Sequence, residues 1–458
     1  MSKDTITYTN NTDKKKITKP FPISGYPEWL PQVRRVEQQW LDHIRRIFES
    51  YGFCNIEAPA VEALDIIAAK GEDVDKEIYV LERLQADEKD TKEARLALHF
   101  DQTVPLARYV GQHFNDLVFP FKRYQMQKVW RGERPQAGRF REFTQCDIDV
   151  INVDSLPLSF DAEMPAIIHE GLSGLNIPPF QIRISNRKIL MGYLKSLDIN
   201  NEAIVSISRA IDKREKISHD TFQSLVLSAL ENKNQYDAID AFLTFCSEKY
   251  KTEASLRNAM DKLQKNIIYN ESYDNTFEEG IAELSFVMNQ LAHLPNVIAD
   301  LSIVRGLDYY TGTVYETVFI DEPGYGSICS GGRYDDLASS YINKKLPGVG
   351  ISIGFSRLFA KMQAQIAEKR ISPADILVIL NSEEDRPLSA QTAATLRSRG
   401  FNVELYHAPQ KFSKQIAYAE KKGIPYIWMP PYRDTITHEI KCLATGQQQE
   451  ADPNVWKV

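Results

Sequence analysis

Two runs with strand-like composition, Arg123–Trp130 and Glu142–Ile151, flank a stretch that can be neither strand nor helix: Gly132-Glu133-Arg134-Pro135-Gln136-Ala137-Gly138-Arg139. Long runs of this kind joined by glycine and proline read as an antiparallel hairpin with an extended loop. The two-residue period of a strand sorts the second run into faces. Thr144, Cys146, Ile148 and Val150 share one face, which is mostly apolar, while Phe143, Gln145, Asp147 and Asp149 share the other. An amide and two carboxylates beside an aromatic ring, backed by an apolar layer, make either the floor of a polar pocket or a solvated outer face. Between Phe121 and Glu142 the basic residues are Lys122, Arg123, Lys128, Arg131, Arg134, Arg139 and Arg141, against only Glu133 and Glu142. Guanidinium groups are planar, always charged and bidentate, so a cluster of them suits phosphate; a solvated charged hairpin is the alternative.

Around the hairpin the chain changes character several times. Val33, Val36, Trp40, Ile44, Ile47 and Phe48 recur at helical spacing over Pro31–Ser50, Gly52 ends the pattern, and Phe53–Glu57 follows as a short strand closed by Pro59. From Gln181 to Leu294 there is no proline, and glycine occurs only at 192 and 280, which favours helices. This segment reads as a helical module inserted between two parts of a sheet domain. Strand and turn chemistry returns at Val304–Ala360: Thr313–Ile320 is β-branched and aromatic, Gly331-Gly332 reads as a turn that opens a helix at Arg333, and Gly348–Phe355 is a glycine-spaced strand with a helix from Ser356. Beyond it, strands at Asp375–Leu380, Phe401–Tyr406, Pro425–Met429 and Thr437–Leu443 alternate with helices at Ser389–Arg399 and Phe412–Lys422, the pattern of a separate small α/β domain.

The 458 residues, with 26% charged and 43% hydrophobic side chains, are those of a globular chain of about three domains, not a disordered or fibrous one. The net charge of −7 argues against non-specific coating of nucleic acid. No apolar run approaches the ~18 residues of a membrane helix, and Met1–Lys16 carries lysines with no apolar segment behind them, so a cytoplasmic location is expected. Five widely separated cysteines form no C-x-x-C pair and indicate neither zinc nor redox chemistry; no protein motif for a metal is present. There is no G-x-x-x-x-G-K-[ST], and Gly348, Gly350 and Gly354 do not match G-x-G-x-x-G. The remaining chemistry lies in Arg305-Gly306-Leu307-Asp308-Tyr309-Tyr310, where a cation and two phenols meet at a strand edge, and in Arg357 near the start of a helix, a placement that favours anions.

These segments together resemble a known family. Trp130-Arg131-Gly132-Glu133 with its loop and Phe143 is similar to motif 2 of the class II aminoacyl-tRNA synthetases, Gly348–Leu358 with Arg357 to motif 3, and the Pro31 helix with Pro59 to motif 1. Arg305–Glu316 and Ser330-Gly331-Gly332-Arg333-Tyr334-Asp335 resemble the two histidine-specific strings of the histidyl-tRNA synthetase family. The resemblance runs from about Gly25 to the C-terminus. It implies an α/β fold, with an α+β catalytic domain whose antiparallel sheet is flanked by helices, a helical insertion, and a C-terminal α/β domain of the anticodon-binding kind. The divisions expected are 1–195 and 295–368 for the catalytic domain, 196–294 for the insertion and 369–458 for the last domain.

The resemblance further implies activation of histidine by ATP, with Mg2+ accompanying the nucleotide, and transfer to tRNA-His by a homodimer built through motif 1. By the same token Arg131 and Arg305 would hold the reacting phosphate and carboxylate from opposite sides, as catalytic residues. ATP binding would fall to Arg131, Glu133, Arg139, Phe143 and Arg357. Histidine binding would fall to Asp101, Thr103, Arg131, Gln145, Asp149, Arg305, Tyr309 and Tyr310. Asp101 and Asp149 each stand where many bacterial members carry glutamate. Two other readings compete: a silent regulatory paralogue, which typically lacks Arg305 or the last domain, and a synthetase for another amino acid, which the Arg305–Tyr310 string opposes.

Overall fold

A computed structural model describes residues 19–68, 76–83, 95–214, 217–265, 275–303, 310–336, 338–339, 341–366, 370–432 and 436–458. Pro31, whose missing N–H costs nothing at a first helical position, opens the helix Pro31–Ser50, and that helix buries Ile44 and Phe48. The chain then supplies β1 (Cys54–Asn55) and a small sheet of β2 (Val61–Ala63), β3 (Val80–Leu81) and β4 (Leu96–Leu98). The hairpin follows as β5 (Phe121–Trp130) and β6 (Glu142–Ile151), paired in register along their whole length.

Six more strands complete the main sheet: β7 (Phe180–Asn186), β8 (Lys249–Tyr250), β9 (Val297–Asp300), β10 (Thr313–Phe319), β11 (Cys329–Tyr334) and β12 (Gly348–Ile353). Their order is β1-β5-β6-β12-β11-β10-β7-β9-β8. The run from β5 to β7 is antiparallel throughout, with parallel pairs only at β1–β5 and β7–β9. One face carries Cys146, Ile148, Val150, Val349, Ile351 and Ile353, all buried in one core with Ile44 and Phe48 of the first helix, Met164, Ile167 and Ile168 of the helix Ser159–Ser173, and Phe355 and Leu358 of the helix Phe355–Gln363. Helices cover this face, which leaves the opposite face of β6, β11 and β12 to build a site.

The expected turn at Gly331-Gly332 is instead the middle of β11. A side chain at 331 would place its Cβ 2.1 Å from the Gly350 carbonyl oxygen, so glycine here permits close strand approach, not reversal. The region read as a helical module contains helices Asn201–Lys213, His219–Ser228, Lys233–Cys246 and Glu253–Gln264. Each is opened by a side chain, Asn200, Ser218, Asn232 or Thr252, that accepts a first-turn backbone N–H. This region is not wholly helical, because β8 joins the main sheet by pairing with β9, and its Ile204, Phe242 and Met260 belong to the same core as the sheet.

The last segment folds as β13 (Ile376–Val378), β14 (Val403–Leu405), β15 (Tyr426–Met429), β16 (Glu439–Cys442) and β17 (Gln448–Glu450), in the order β14-β13-β15-β16-β17. Helices Arg386–Ser398 and Phe412–Lys422 accompany them, the second ended by Gly423 at a positive φ of 70°. Among the described residues no helix is long and apolar enough to cross a membrane.

Candidate active site

Register alone places the polar side chains of the sheet in rows. Arg123, Asp149, Gly350 and Gly332 stand opposite one another across β5, β6, β12 and β11, and Gln125, Asp147, Ser352 and Ser330 form the next row. Bare backbone in the first row makes space for what lies above it. A Cβ on Gly350 would fall 2.0 Å from Asp149 Oδ1, one on Gly332 2.8 Å from the Tyr310 ring, and one on Gly348 2.3 Å from the Tyr334 ring. The glycine spacing of β12 is therefore a steric requirement of the floor.

Over these rows lies a narrow slot lined by Thr103, Asp147, Asp149, Tyr310, Ser330, Tyr334 and Ser352. Arg123, 0% exposed, approaches Asp149 Oδ2 at 2.5 Å, and the Tyr334 hydroxyl donates to Asp149 Oδ1 at 3.0 Å. Burial raises the Asp149 carboxyl despite Arg123, and pushes Asp147 up to about 7, with Arg123 and Ser352 opposing the rise and Asp149 and Asp101 adding to it. Burial also raises the Tyr310 phenol, helped by the negative charge of Asp149, Asp147 and Asp101. Asp101 Oδ1 accepts the backbone N–H groups of Thr103 and Val104, which fixes the start of the helix Thr103–Gln112 beside the slot. The slot is thus anionic.

The neighbouring cleft has the opposite sign. Arg131, Glu133, Arg139, Phe143, Gln145 and Arg357 line it together with Ser330 and Ser352, so the two compartments share a wall. Its cavity volume is about 260 Å³, near the lower end of small-molecule sites. The Arg131 guanidinium lies 4.3 Å from the Phe100 ring centre and 5.2 Å from that of Phe143, and its Nε donates to the Phe100 carbonyl at 3.3 Å. Burial pulls Arg131 below its usual value against the pull of Asp101, Glu133, Glu77 and Asp147. Arg139 pairs with Glu133 at 3.2 Å. Arg357 is in the first turn of Phe355–Gln363, donates to the Tyr325 carbonyl and lies over the Tyr325 ring, while the Tyr325 hydroxyl donates to the Arg357 carbonyl at 2.8 Å. Gln145 Nε2 donates to Ser352 Oγ at 2.9 Å on the shared wall.

Of the residues singled out in the sequence, Arg131, Glu133, Arg139, Phe143, Gln145 and Arg357 meet in the cleft, and Thr103, Asp149 and Tyr310 meet in the slot. Asp101 stands beside both, through its helix cap and its charge on Arg131 and Asp147. Arg305 and Tyr309 lie outside the described residues. The basic cluster of the hairpin is divided: Arg123 is buried against Asp149, Lys122 pairs with Glu163 at 2.5 Å, and Lys128 pairs with Glu142 at 2.5 Å, so these cations do not serve the cleft. Among the arginine fork donors, Arg333 is structural, gripping Asp161, which is 0% exposed, at 2.5–3.0 Å beside the Thr313 hydroxyl. Asp147, Tyr334, Ser330 and Ser352 were not singled out as ligands. Alternation along β6 put Asp147 on the right face, but the seryl and tyrosyl partners needed the strand order.

An antiparallel sheet with a long charged hairpin, facing a glycine-spaced strand that feeds a helix with an arginine in its first turn, is the catalytic fold of class II aminoacyl-tRNA synthetases. Residues 25–358 match the family model for histidyl-tRNA synthetase, and residues 375–451 that for an anticodon binding domain. A histidine–tRNA ligase of Thermobifida fusca is 53% identical over 447 residues, 97% of this chain and 99% of the relative. A crystal structure of histidyl-tRNA synthetase from Nostoc superposes with a TM-score of 0.80 at 39% identity, covering 95% of this chain and 97% of that one. The apo Staphylococcus aureus histidyl-tRNA synthetase, 18% identical over 95% of this chain and 97% of that one, shares the fold at a TM-score of 0.65. The chain belongs to the histidyl-tRNA synthetase family.

Proposed function

We propose that the chain is a histidine–tRNA ligase that joins histidine to ATP as histidyl-adenylate, releasing pyrophosphate, and then passes the histidyl group to the terminal adenosine of tRNA-His. The observation that carries this reading is the shared wall between a cleft lined by Arg131, Arg139 and Arg357 and a slot lined by Asp147 and Asp149. A polyphosphate suits the first and an amino acid with nitrogen donors the second, so the carboxylate of one meets the α-phosphorus of the other.

In the adenylation step a carboxylate oxygen attacks the α-phosphorus in line and pyrophosphate leaves. Two anions must be brought together, so fixed cations carry most of the catalysis. Arg131, held by the Phe100 carbonyl between two aromatic rings, is assigned the α-phosphate and the carboxylate. Arg305 is assigned the opposite side of the same phosphate. Arg139 and Arg357 take the outer phosphates, while Glu133 and Phe143 take the adenine by a hydrogen bond and a stacked face. Asp101, Thr103 and Gln145 surround the α-amino group; Asp149, Tyr309 and Tyr310 surround the imidazole. An apolar side chain would leave buried polar groups of the slot unpaired, which is costly and hence selective.

Among the described residues no group of three candidate metal ligands occurs. Mg2+ would accompany the nucleotide, where it would supply charge neutralisation at the phosphates. The division into catalytic parts 1–195 and 295–368, an insertion 196–294 and an anticodon-binding unit 369–458 completes the reading, as do a cytoplasmic location and a homodimer through the helix Pro31–Ser50. ATP–pyrophosphate exchange measured with each amino acid in turn tests it. Histidine alone should support exchange; exchange driven by another amino acid, or none with histidine, would refute it.

A further inference from the structure

Strand β7 ends at Asn186, whose side-chain oxygen accepts the Lys188 N–H at 3.0 Å and turns the chain into the helix Arg187–Ser196. Its partner β10 begins at Thr313, opposite Asn186, so strand pairing with β7 stops there. Arg187 extends the hold from the first position of the helix. Its backbone N–H donates to the Gly312 carbonyl at 2.9 Å, one step past the last ladder pair, and its Nη1 donates to the Tyr310 carbonyl at 2.7 Å. From the other side the Thr311 N–H donates to the Arg333 carbonyl at 2.8 Å. Tyr310 is thus tied at its own carbonyl while its ring lies on bare backbone, where a Cβ on Gly332 would come within 2.8 Å of it.

Arg187 is itself held. On either side of it in the chain, Asn186 Nδ2 donates to Glu283 Oε2 at 2.8 Å, and Lys188 Nζ donates to Glu283 Oε1 at 2.6 Å and to Glu279 Oε2 at 3.1 Å. Both carboxylates belong to the helix Thr276–Gln290. That helix and Arg187–Ser196 meet backbone to backbone: a Cβ on Gly192 would fall 2.3 Å from the Phe277 nitrogen, and one on Gly280 2.7 Å from the Ile189 nitrogen. Contact of this closeness leaves no room for one helix to slide on the other.

We propose that Arg187 is a positioning residue for histidine recognition: its guanidinium fixes the Tyr310 carbonyl, and through it the place of the phenol beside Asp149, while the helix Thr276–Gln290 braces Arg187 through Asn186 and Lys188. The inference rests on the histidine–tRNA ligase reading, with Tyr310 at the imidazole, and gives the segment 196–294 a part in it. A guanidinium on a carbonyl is a charge-assisted hydrogen bond, stronger than the neutral pair a strand would have supplied. Arg187 lines neither the arginine cleft nor the slot, so it acts through Tyr310 and not on a substrate. A hydrogen bond to a ring nitrogen tolerates little error: a shift of about 1 Å in the phenol takes a contact of about 2.8 Å beyond bonding range.

The test is Arg187→Ala, read by ATP–pyrophosphate exchange. The histidine KM should rise about 10-fold with the ATP KM within about twofold, since a charge-assisted hydrogen bond that holds one of the ring's contacts is lost. Loss of packing alone would lower the active fraction and the melting temperature without this split. In a Tyr310→Phe background, where the hydroxyl is already gone, Arg187→Ala should add no more than about threefold to the histidine KM. An unchanged histidine KM, an equal rise in both KM values, or the full effect in the Tyr310→Phe background overturns the proposal. Arg187→Lys, which keeps a charged donor, answers should the alanine protein fail to fold: its histidine KM should rise about threefold with that for ATP unmoved, and no change in either, or the same change in both, overturns it. Two results count against the foundation instead: no histidine-dependent exchange by the unsubstituted protein sinks the ligase reading, and an ordinary histidine KM for Tyr310→Phe sinks the assignment of that phenol.

Discussion

Gly350→Ala should damage histidine recognition while leaving the nucleotide cleft alone. The added Cβ would lie 2.0 Å from Asp149 Oδ1 and 2.6 Å from its Cγ, with the Ile148 carbonyl at 2.9 Å behind. Ordinary contact requires the carboxylate to retreat by about 1.4 Å. It cannot do so and keep both Arg123 at 2.5 Å and the Tyr334 hydroxyl at 3.0 Å. Removing one partner of a buried ion pair costs about 3–5 kcal/mol, and a displaced partner retains part of the attraction, so a loss of about 2 kcal/mol is expected. That corresponds to a Tm about 4–8 °C lower and a histidine KM about 30-fold higher. ATP KM should stay within twofold, because Gly350 lines the slot and not the cleft. Thermal unfolding and pyrophosphate exchange read both quantities. In an Asp149→Asn background, where the ion pair is already lost, the same substitution should add little. Unaltered melting and an unaltered histidine KM would show that the Asp149 clamp does not organise the slot.

Asp147→Asn should stabilise the protein at pH 8 and not at pH 4. The folded carboxyl titrates at about 7 against 3.8 for the ordinary group, so the folded state holds its proton over that interval and stability falls as the pH rises through it. Removing the charge therefore returns up to about 4 kcal/mol at pH 8, read as a higher Tm, and a variant less stable at pH 8 than at pH 4 relative to the unsubstituted chain would contradict this. Asp161→Asn leaves Arg333 buried without its ionic partner and should lower stability by about 3–5 kcal/mol; a chemical unfolding midpoint unchanged from the original would discount the pair. Arg305→Ala should nearly abolish pyrophosphate exchange with the melting temperature preserved, and near-normal exchange would remove that residue from the mechanism. Light scattering should report a dimer, and an active monomer would overturn the assembly through the helix Pro31–Ser50.

The site was legible where local pattern determines position. Strict alternation placed Gln145, Asp147 and Asp149 on one face of β6, and the helix from Pro31 to Ser50 followed from the spacing of its apolar residues. Non-local register was not legible. Arg123 looked like one more phosphate-binding cation until its place opposite Asp149 put it at the floor of the slot. Gly331-Gly332 has the composition of a turn, and only the approach of β12 and Tyr310 explains why a strand needs two glycines there. Likewise the short strand Lys249–Tyr250 sits in a segment of helical composition because its partner, Val297–Asp300, lies far along the chain. Family resemblance supplied the roles of Arg131, Arg139 and Arg357, which spacing alone could not bring to one cleft.

A crystal structure of the protein with histidinol and ATP bears most directly on the claim that two compartments of opposite charge meet at one reacting phosphorus. The triphosphate should lie along Arg131, Arg139 and Arg357, with the imidazole in the slot between Tyr310 and the carboxylates of β6 and the histidinol hydroxyl directed at the α-phosphate. Nucleotide bound away from these arginines, or a ring outside the slot, would contradict it.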